Sequence, residues 1–211
     1  TEEVTGVDLV AGQTAIAGGA SLNDLSLTQT EIAEPRGLAL QCRINAETML
    51  ADGRTQPGGG LLQNFEPPGG PGVRVDTAAR TGLTTSPHYD SLLAKVIVHN
   101  RSGDWLATLR QADRALAEFR ITGVPTNLAT LRALLAAEAV QAGRMRTGWV
   151  EANATDLVAR AETFTAPTLL PSAAGGPEDS SRAVVLPAGT EPVRAPLRGS
   201  LVGLDVAEGD I

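Results

Sequence analysis

The stretch Glu66-Pro67-Pro68-Gly69-Gly70-Pro71-Gly72-Val73-Arg74-Val75-Asp76-Thr77 decides how the middle of the chain folds. Three prolines and three glycines occupy positions 67–72. Proline presets φ and glycine takes the positive-φ positions that other residues avoid, so the segment is a rigid, tight turn. A short strand emerges from it over Val73 to Thr77, with Arg74 and Asp76 on one face.

Working outward, the apolar residues Leu38, Leu40, Cys42 and Ile44 alternate, which predicts a half-buried strand projecting Gln41 and Arg43 to its other face. Residues 48–60, with Asp52-Gly53 and Gly58-Gly59-Gly60, read as an extended loop. Leu61 to Phe65 and the β-branched run Leu92 to His99 read as further strands. No helical pattern separates these strands, so an antiparallel sheet is expected.

Helices flank this region. Residues 1–19 read as one helix with Val7, Val10, Ala11 and Ile16 near one face, ended by Gly18-Gly19. Asp104 to Phe119 carries the stripe Trp105, Leu109, Ala112, Leu116 and Phe119, with Ser102 or Asp104 as its cap. Arg120 to Pro125 reads as a short linker. A helix over Thr126 to Ala137 follows, capped by Thr126 or Asn127, and another spans Glu151 to Glu162. The expected fold class is α+β, a mostly antiparallel sheet with packed helices over residues 1–162. Residues 163–192 lose periodicity and read as a flexible linker rich in Pro, Ala, Ser, Gly and Thr. Residues 193–211 open a new strand-turn-strand pattern that breaks off. With no initiator Met at Thr1, the chain reads as a segment of a larger polypeptide.

Composition narrows the function classes. The net charge of -7 disfavours nucleic acid and anionic membrane as partners, since both need a basic face. Aromatic residues make up only 3% of the chain, so its core must be built from Leu, Val, Ala and Ile. The single cysteine, Cys42, precludes an intrachain disulfide and suits a reducing cytoplasm. Cys42, His88 and His99 offer no local ligand pair, so no metal site is expected among them. Gly58-Gly59-Gly60 lacks the Lys-Ser/Thr and following helix of a phosphate loop.

Three segments, Leu40-Gln41-Cys42-Arg43-Ile44-Asn45-Ala46-Glu47, the Pro/Gly turn, and Pro87-His88-Tyr89-Asp90-Ser91-Leu92-Leu93-Ala94-Lys95-Val96-Ile97-Val98, occur in an order and spacing that resembles the C-terminal domain of biotin carboxylase. Thr1-Glu2-Glu3-Val4-Thr5-Gly6-Val7-Asp8-Leu9 also resembles that family's segment after its ATP-grasp residues. The start at 193–211 resembles a β-hammerhead biotinyl (carrier) domain. Thr48 to Pro57 departs from the Asp-Pro and Phe-x-Pro pattern of many members and looks like the fused, single-chain acyl-CoA carboxylases.

The resemblance implies roles for particular residues. Arg43, within the fully matching Arg43-Ile44-Asn45-Ala46-Glu47, would be the cation that steadies negative charge on the ureido oxygen of biotin. By pattern alone it reads first as an exposed strand arginine in a surface salt bridge. Asn45 and Glu47 would support Arg43, or form a solvated strand end. Arg74 and Asp90 match residues at the subunit contact of a dimer, with an intrachain salt bridge as the competing reading. Thr147 and Gly148 fall where relatives approach the adenine of ATP, unless they merely shape a loop.

ATP, Mg2+ and biotin are the implied cofactors, with Mg-ATP bound mainly by residues outside this chain and biotin attached downstream. Implied partners are a biotin carrier domain, a carboxyltransferase and a second copy of the chain. The expected function is therefore a part of a biotin-dependent carboxylase, inactive in isolation. The alternative is a non-catalytic dimerisation or docking scaffold within a larger carboxylase.

Overall fold

The computed structural model describes residues 1–164. In chain order the elements are α1 (Glu2–Thr5), α2 (Leu9–Ala17), β1 (Leu38–Asn45), β2 (Glu47–Met49), β3 (Thr55–Pro57), β4 (Gly60–Leu61) and β5 (Asn64–Glu66). Then come β6 (Val73–Thr77), β7 (Thr84–Thr85), β8 (Leu92–Asn100), α3 (Trp105–Glu118), β9 (Arg120–Thr122), α4 (Leu128–Leu135), α5 (Glu138–Gln141), α6 (Trp149–Ala152) and α7 (Ala154–Glu162).

The site-bearing element is an antiparallel three-stranded sheet, ordered β1-β8-β6. The alternation read from the sequence sets its inner face. Cys42 and Ile44 of β1 and Val96 and Val98 of β8 are buried. Helix α3 lies against that face and contributes Leu109, Ala112, Ala115 and Leu116. Its start is fixed by Asp104, whose carboxylate accepts from the Ala107 N–H at 3.0 Å. The low aromatic content shows in the core, where small and aliphatic side chains dominate. Phe65 and Phe119 supply one edge-to-face pair, with centroids 5.2 Å apart. The Pro/Gly turn before β6 is pinned at both ends of its reach. The Gly72 carbonyl accepts from the His99 N–H at 2.8 Å, and Gln111 of α3 donates to the Pro71 and Gly72 carbonyls.

Several expectations need correction. The N-terminal segment is two helices, because Gly6 takes φ 74 and ends α1. Asp8 then caps α2. The α2 residues expected on a core face are exposed, Val10 at 73%. The expected loop at 48–60 contains the β2–β3 hairpin, in register from Glu47↔Pro57 to Met49↔Thr55. The expected strand from Leu61 to Phe65 is broken at Leu62 and Gln63 into parts of β4 and β5, which pair with different partners. Within the expected linker 120–125, Arg120 to Thr122 forms β9 and pairs with β5. The helix expected over Thr126 to Ala137 is the shorter α4, followed by the separate α5 that the sequence reading did not include, and the helix expected over Glu151 to Glu162 is divided into α6 and α7.

A second small cluster joins α4 to α7 through Ala133, Leu157 and Ala161. Arg132 ties α4 to α3 through Asp113 at 2.7 Å and stacks over Phe164 at 4.7 Å. The predicted linker 163–192, apart from its first two residues, and the predicted carrier start at 193–211 lie outside the described residues.

Candidate functional site

Arg43 projects from the outer face of β1, between the buried Cys42 and Ile44. Its guanidinium makes no hydrogen bond or ion pair among the described residues; the hydrogen bonds recorded at this position involve its backbone. Directly across the sheet sits Lys95 of β8, and across from Lys95 sits Asp76 of β6. The sequence reading gave Lys95 no role. Strands are about 4.8 Å apart, so the three side chains form one row about 10 Å long. The adjacent row on the same face is Gln41, Ile97 and Arg74. Asp76 bonds Arg74 within its own strand, Nε to Oδ1 at 2.8 Å, rather than Lys95. Among the described residues neither Arg43 nor Lys95 has a side-chain partner, so they present two cations side by side, donors suited to an anionic oxygen.

Immediately beyond Arg43 the register of β1 on β8 shifts, between Ile44 and Asn45. Such irregularities re-aim side chains. Three polar side chains hold the chain here. Asn45 Nδ2 donates to Glu47 Oε1 at 3.1 Å, and Ser91 Oγ donates to Glu47 Oε2 at 3.2 Å. Asn45 Oδ1 is buried with no hydrogen-bond partner among the described residues. From the far side, Asn127 bonds the β1 backbone at both Arg43 and Asn45. Sequence reading found Asn127 only as a helix cap. It stands at that position of α4, but its side chain makes no capping bond.

The other candidates fall in separate places. Arg74 bridges Glu2 and Glu3 of α1 as well as Asp76. Those three carboxylates, Asp76 first, raise the affinity of its guanidinium for its proton. The competing intrachain reading therefore has a physical basis, although the partner is not Asp90. Asp90 accepts from the Leu92 N–H at 3.0 Å and lines a groove of about 490 Å3 with Lys95, Asp76, Ser91 and the exposed Tyr89. Thr147 and Gly148 are exposed on the loop entering α6, where Gly148 takes φ 80. No hydrogen bond or ion pair joins them to Arg43, Asn45 or Glu47.

His88, His99 and Cys42 stay apart. His99 Nε2–H donates to the Arg36 carbonyl at 2.7 Å, and Cys42 is buried with its thiol pushed up to about 11 by desolvation. Among the described residues no helix is long and apolar enough to cross a membrane.

The site-bearing sheet thus has Arg43, without a side-chain partner among the described residues, on its edge strand β1, helix α3 behind it, and the Pro/Gly turn leading into the opposite edge strand β6. The family model for the biotin carboxylase C-terminal domain matches residues 41–152, and the chain belongs to that family. It is 44% identical to human mitochondrial pyruvate carboxylase over 154 residues, 72% of this chain and 13% of that enzyme. A solved single-chain, multi-domain long-chain acyl-CoA carboxylase matches with TM-score 0.70 at 47% identity, over 81% of this chain and 18% of that one. The biotin carboxylase domain dimer of Hydrogenobacter thermophilus 2-oxoglutarate carboxylase, in complex with MgADP, ADP and bicarbonate, matches with TM-score 0.65 at 33% identity, over 74% of this chain and 33% of that one. The chain thus spans a third or less of each of these relatives.

Proposed function

We propose that this chain is part of a biotin-dependent carboxylase that carboxylates biotin with ATP and bicarbonate, and that Arg43 bears the charge of that step. The observation that carries the reading is the unpaired Arg43 guanidinium beside Lys95, within the stretch the family model matches. Biotin, when bound, would supply a ureido nitrogen that accepts the carboxyl group, and the loss of that nitrogen's proton beforehand would place negative charge on the ureido oxygen. A fixed planar donor at that oxygen lowers the barrier, and losing such a donor costs ~10²–10³ in rate. Lys95 adds positive potential to the same place, and Asn45 and Glu47 steady the strand that presents Arg43.

In this proposal Thr147 and Gly148 border the adenine, residues outside this chain hold Mg-ATP, and Arg74 and Asp90 lie towards a second subunit. A carrier domain and a carboxyltransferase complete the cycle. The acceptor is an acyl-CoA, a choice supported by the likeness to the long-chain acyl-CoA carboxylase.

Arg43→Ala in the full-length enzyme tests the central claim. The expected result is a fall of ~10²–10³ in biotin carboxylation, with fold and oligomeric state retained. An unchanged rate, or a rate lost only because assembly is lost, refutes it and favours the scaffold. Assays with acyl-CoAs of increasing length against pyruvate decide the acceptor.

A further inference from the structure

We propose that Asn127 is a positioning residue that aims Arg43, an inference that rests on the role just given to Arg43. Among the described residues strand β1 pairs with β8 along one edge only, and the order β1-β8-β6 leaves its other edge without a strand neighbour. Asn127 takes the place of that neighbour for the two residues that matter. Its Oδ1 accepts from the Asn45 N–H at 3.0 Å, its Nδ2 donates to the Arg43 carbonyl at 3.1 Å, and its own N–H donates to the Asn45 carbonyl at 3.2 Å. A primary amide presents the same donor and acceptor as a peptide group, so one side chain imitates a rung of sheet.

The bonds fall where the other edge weakens, since the β8 register shifts between Ile44 and Asn45. They also come at the expense of the ordinary work of an asparagine at this position. The first-turn N–H groups of α4 receive nothing from its side chain. Arg43 needs outside help more than its neighbours do. Arg54, Arg74 and Arg132 are each anchored by a carboxylate at 2.7 or 2.8 Å, whereas the Arg43 guanidinium has no partner among the described residues. Its backbone is what sets its direction. Fixing the Arg43 carbonyl and the Asn45 N–H fixes the intervening peptides and the Cα–Cβ vector from which the guanidinium reaches.

The competing role for Asn127 is structural, a tie between α4 and the sheet. The two differ in a double-mutant cycle on the full-length carboxylase. A positioning role predicts that Asn127→Ala lowers kcat for free biotin roughly tenfold or more. In the Arg43→Ala background the same change should cost nothing further. A structural tie lowers the active fraction by the same factor in both backgrounds, and that outcome overturns the inference while leaving Arg43 in place. An Asn127→Ala enzyme with unchanged kcat overturns it too. An Arg43→Ala enzyme at full rate removes the reading of Arg43 and the role of Asn127 with it.

Hydrogen exchange supplies a readout independent of turnover. Exchange at the Asn45 amide should quicken in Asn127→Ala while the β8 amides stay protected, and unchanged Asn45 exchange counts against the inference. If Asn127→Ala does not fold, Asn127→Asp serves in the same cycle. It keeps the acceptor for the Asn45 N–H and loses the donor to the Arg43 carbonyl.

Discussion

Gly123→Ala is a perturbation whose cost can be worked from the backbone. Gly123 sits between β9 and Pro125 with φ 98, and a Cβ placed on it would lie 2.0 Å from the Leu61 carbonyl oxygen and 2.8 Å from the Gln63 nitrogen. Real Cβ contacts stay beyond 3.0 Å, so about 1 Å must be found in strand backbone rather than in a flexible side chain. The left-handed φ costs an alanine about 1–2 kcal/mol. The displaced strand also strains the bond from the Gln63 N–H to the Thr122 carbonyl, now 2.9 Å, and the neighbouring rung of β5 on β9. At about 1 kcal/mol each, the total is roughly 3–4 kcal/mol. Urea unfolding measures it as a lower midpoint with an unchanged slope. Gly82→Ala is the control, since Gly82 has φ 85 but nothing within 4 Å of its would-be Cβ. It should lose only the φ penalty. Equal losses for the two variants would refute the clash argument. Asn127 lies four residues beyond Gly123, so the same variant should also loosen the hold on Arg43.

Burial pushes the Cys42 thiol up from its ordinary 9.0 to about 11. Between those values the folded chain binds more protons than the unfolded one, so stability is full below pH 9 and falls as pH rises towards 11. Urea midpoints at pH 8, 9.5 and 10.5 should show this slope, and a slope that persists unchanged in Cys42→Ala contradicts the assignment. Native Cys42 should also resist alkylation at pH 8, because little thiolate forms and access is closed. Arg74→Ala should quicken hydrogen exchange over residues 2–6, where Arg74 holds α1 through Glu2 and Glu3, with a shift in Tm within about 2 °C. Unfolding of the central sheet in that variant would mean that α1 and Arg74 do more than these exposed ion pairs explain.

What could be read in advance follows from the range over which each signal acts. β1, β6, β8 and α3 announce themselves within ten or fifteen residues, through alternation or a 3.6-residue stripe whose buried side faces one core. Arg43 was legible for the same reason, as an outward position on an alternating strand in a matching motif. β9 was not, because a three-residue strand exists only by pairing with β5, more than fifty residues earlier. The polar turn residues Asp52 and Gly53 suggested a loop, and they are the tip of a hairpin whose arms carry no apolar alternation. α2 misled in the opposite direction. Its apolar residues repeat at helical spacing, yet Leu9, Val10 and Ile16 remain exposed. Asn127 lies 84 residues from the carbonyl it holds, and locally it looks like any helix-capping asparagine.

The pairing of charges on the outer face says more than the position of any one of them. Asp76 stands directly across from Lys95 and could neutralise it, but its carboxylate is turned along its own strand to Arg74. Arg43 and Lys95 are left opposite each other with no carboxylate on either among the described residues. Like charges in directly opposed positions destabilise a sheet. If the two charges stood at the strand spacing of about 5 Å, their repulsion would be about 0.8 kcal/mol in water, growing several-fold as solvent is excluded. An anionic oxygen between them reverses the sign, because each cation then gains an attraction of the same order as the repulsion. Closing water out of such a site strengthens both effects together, so the two cations favour charge on a bound ligand most when the site is shut. A chain with net charge -7 has carboxylates to spare, yet the one on this row, Asp76, is given to Arg74 and not to either cation.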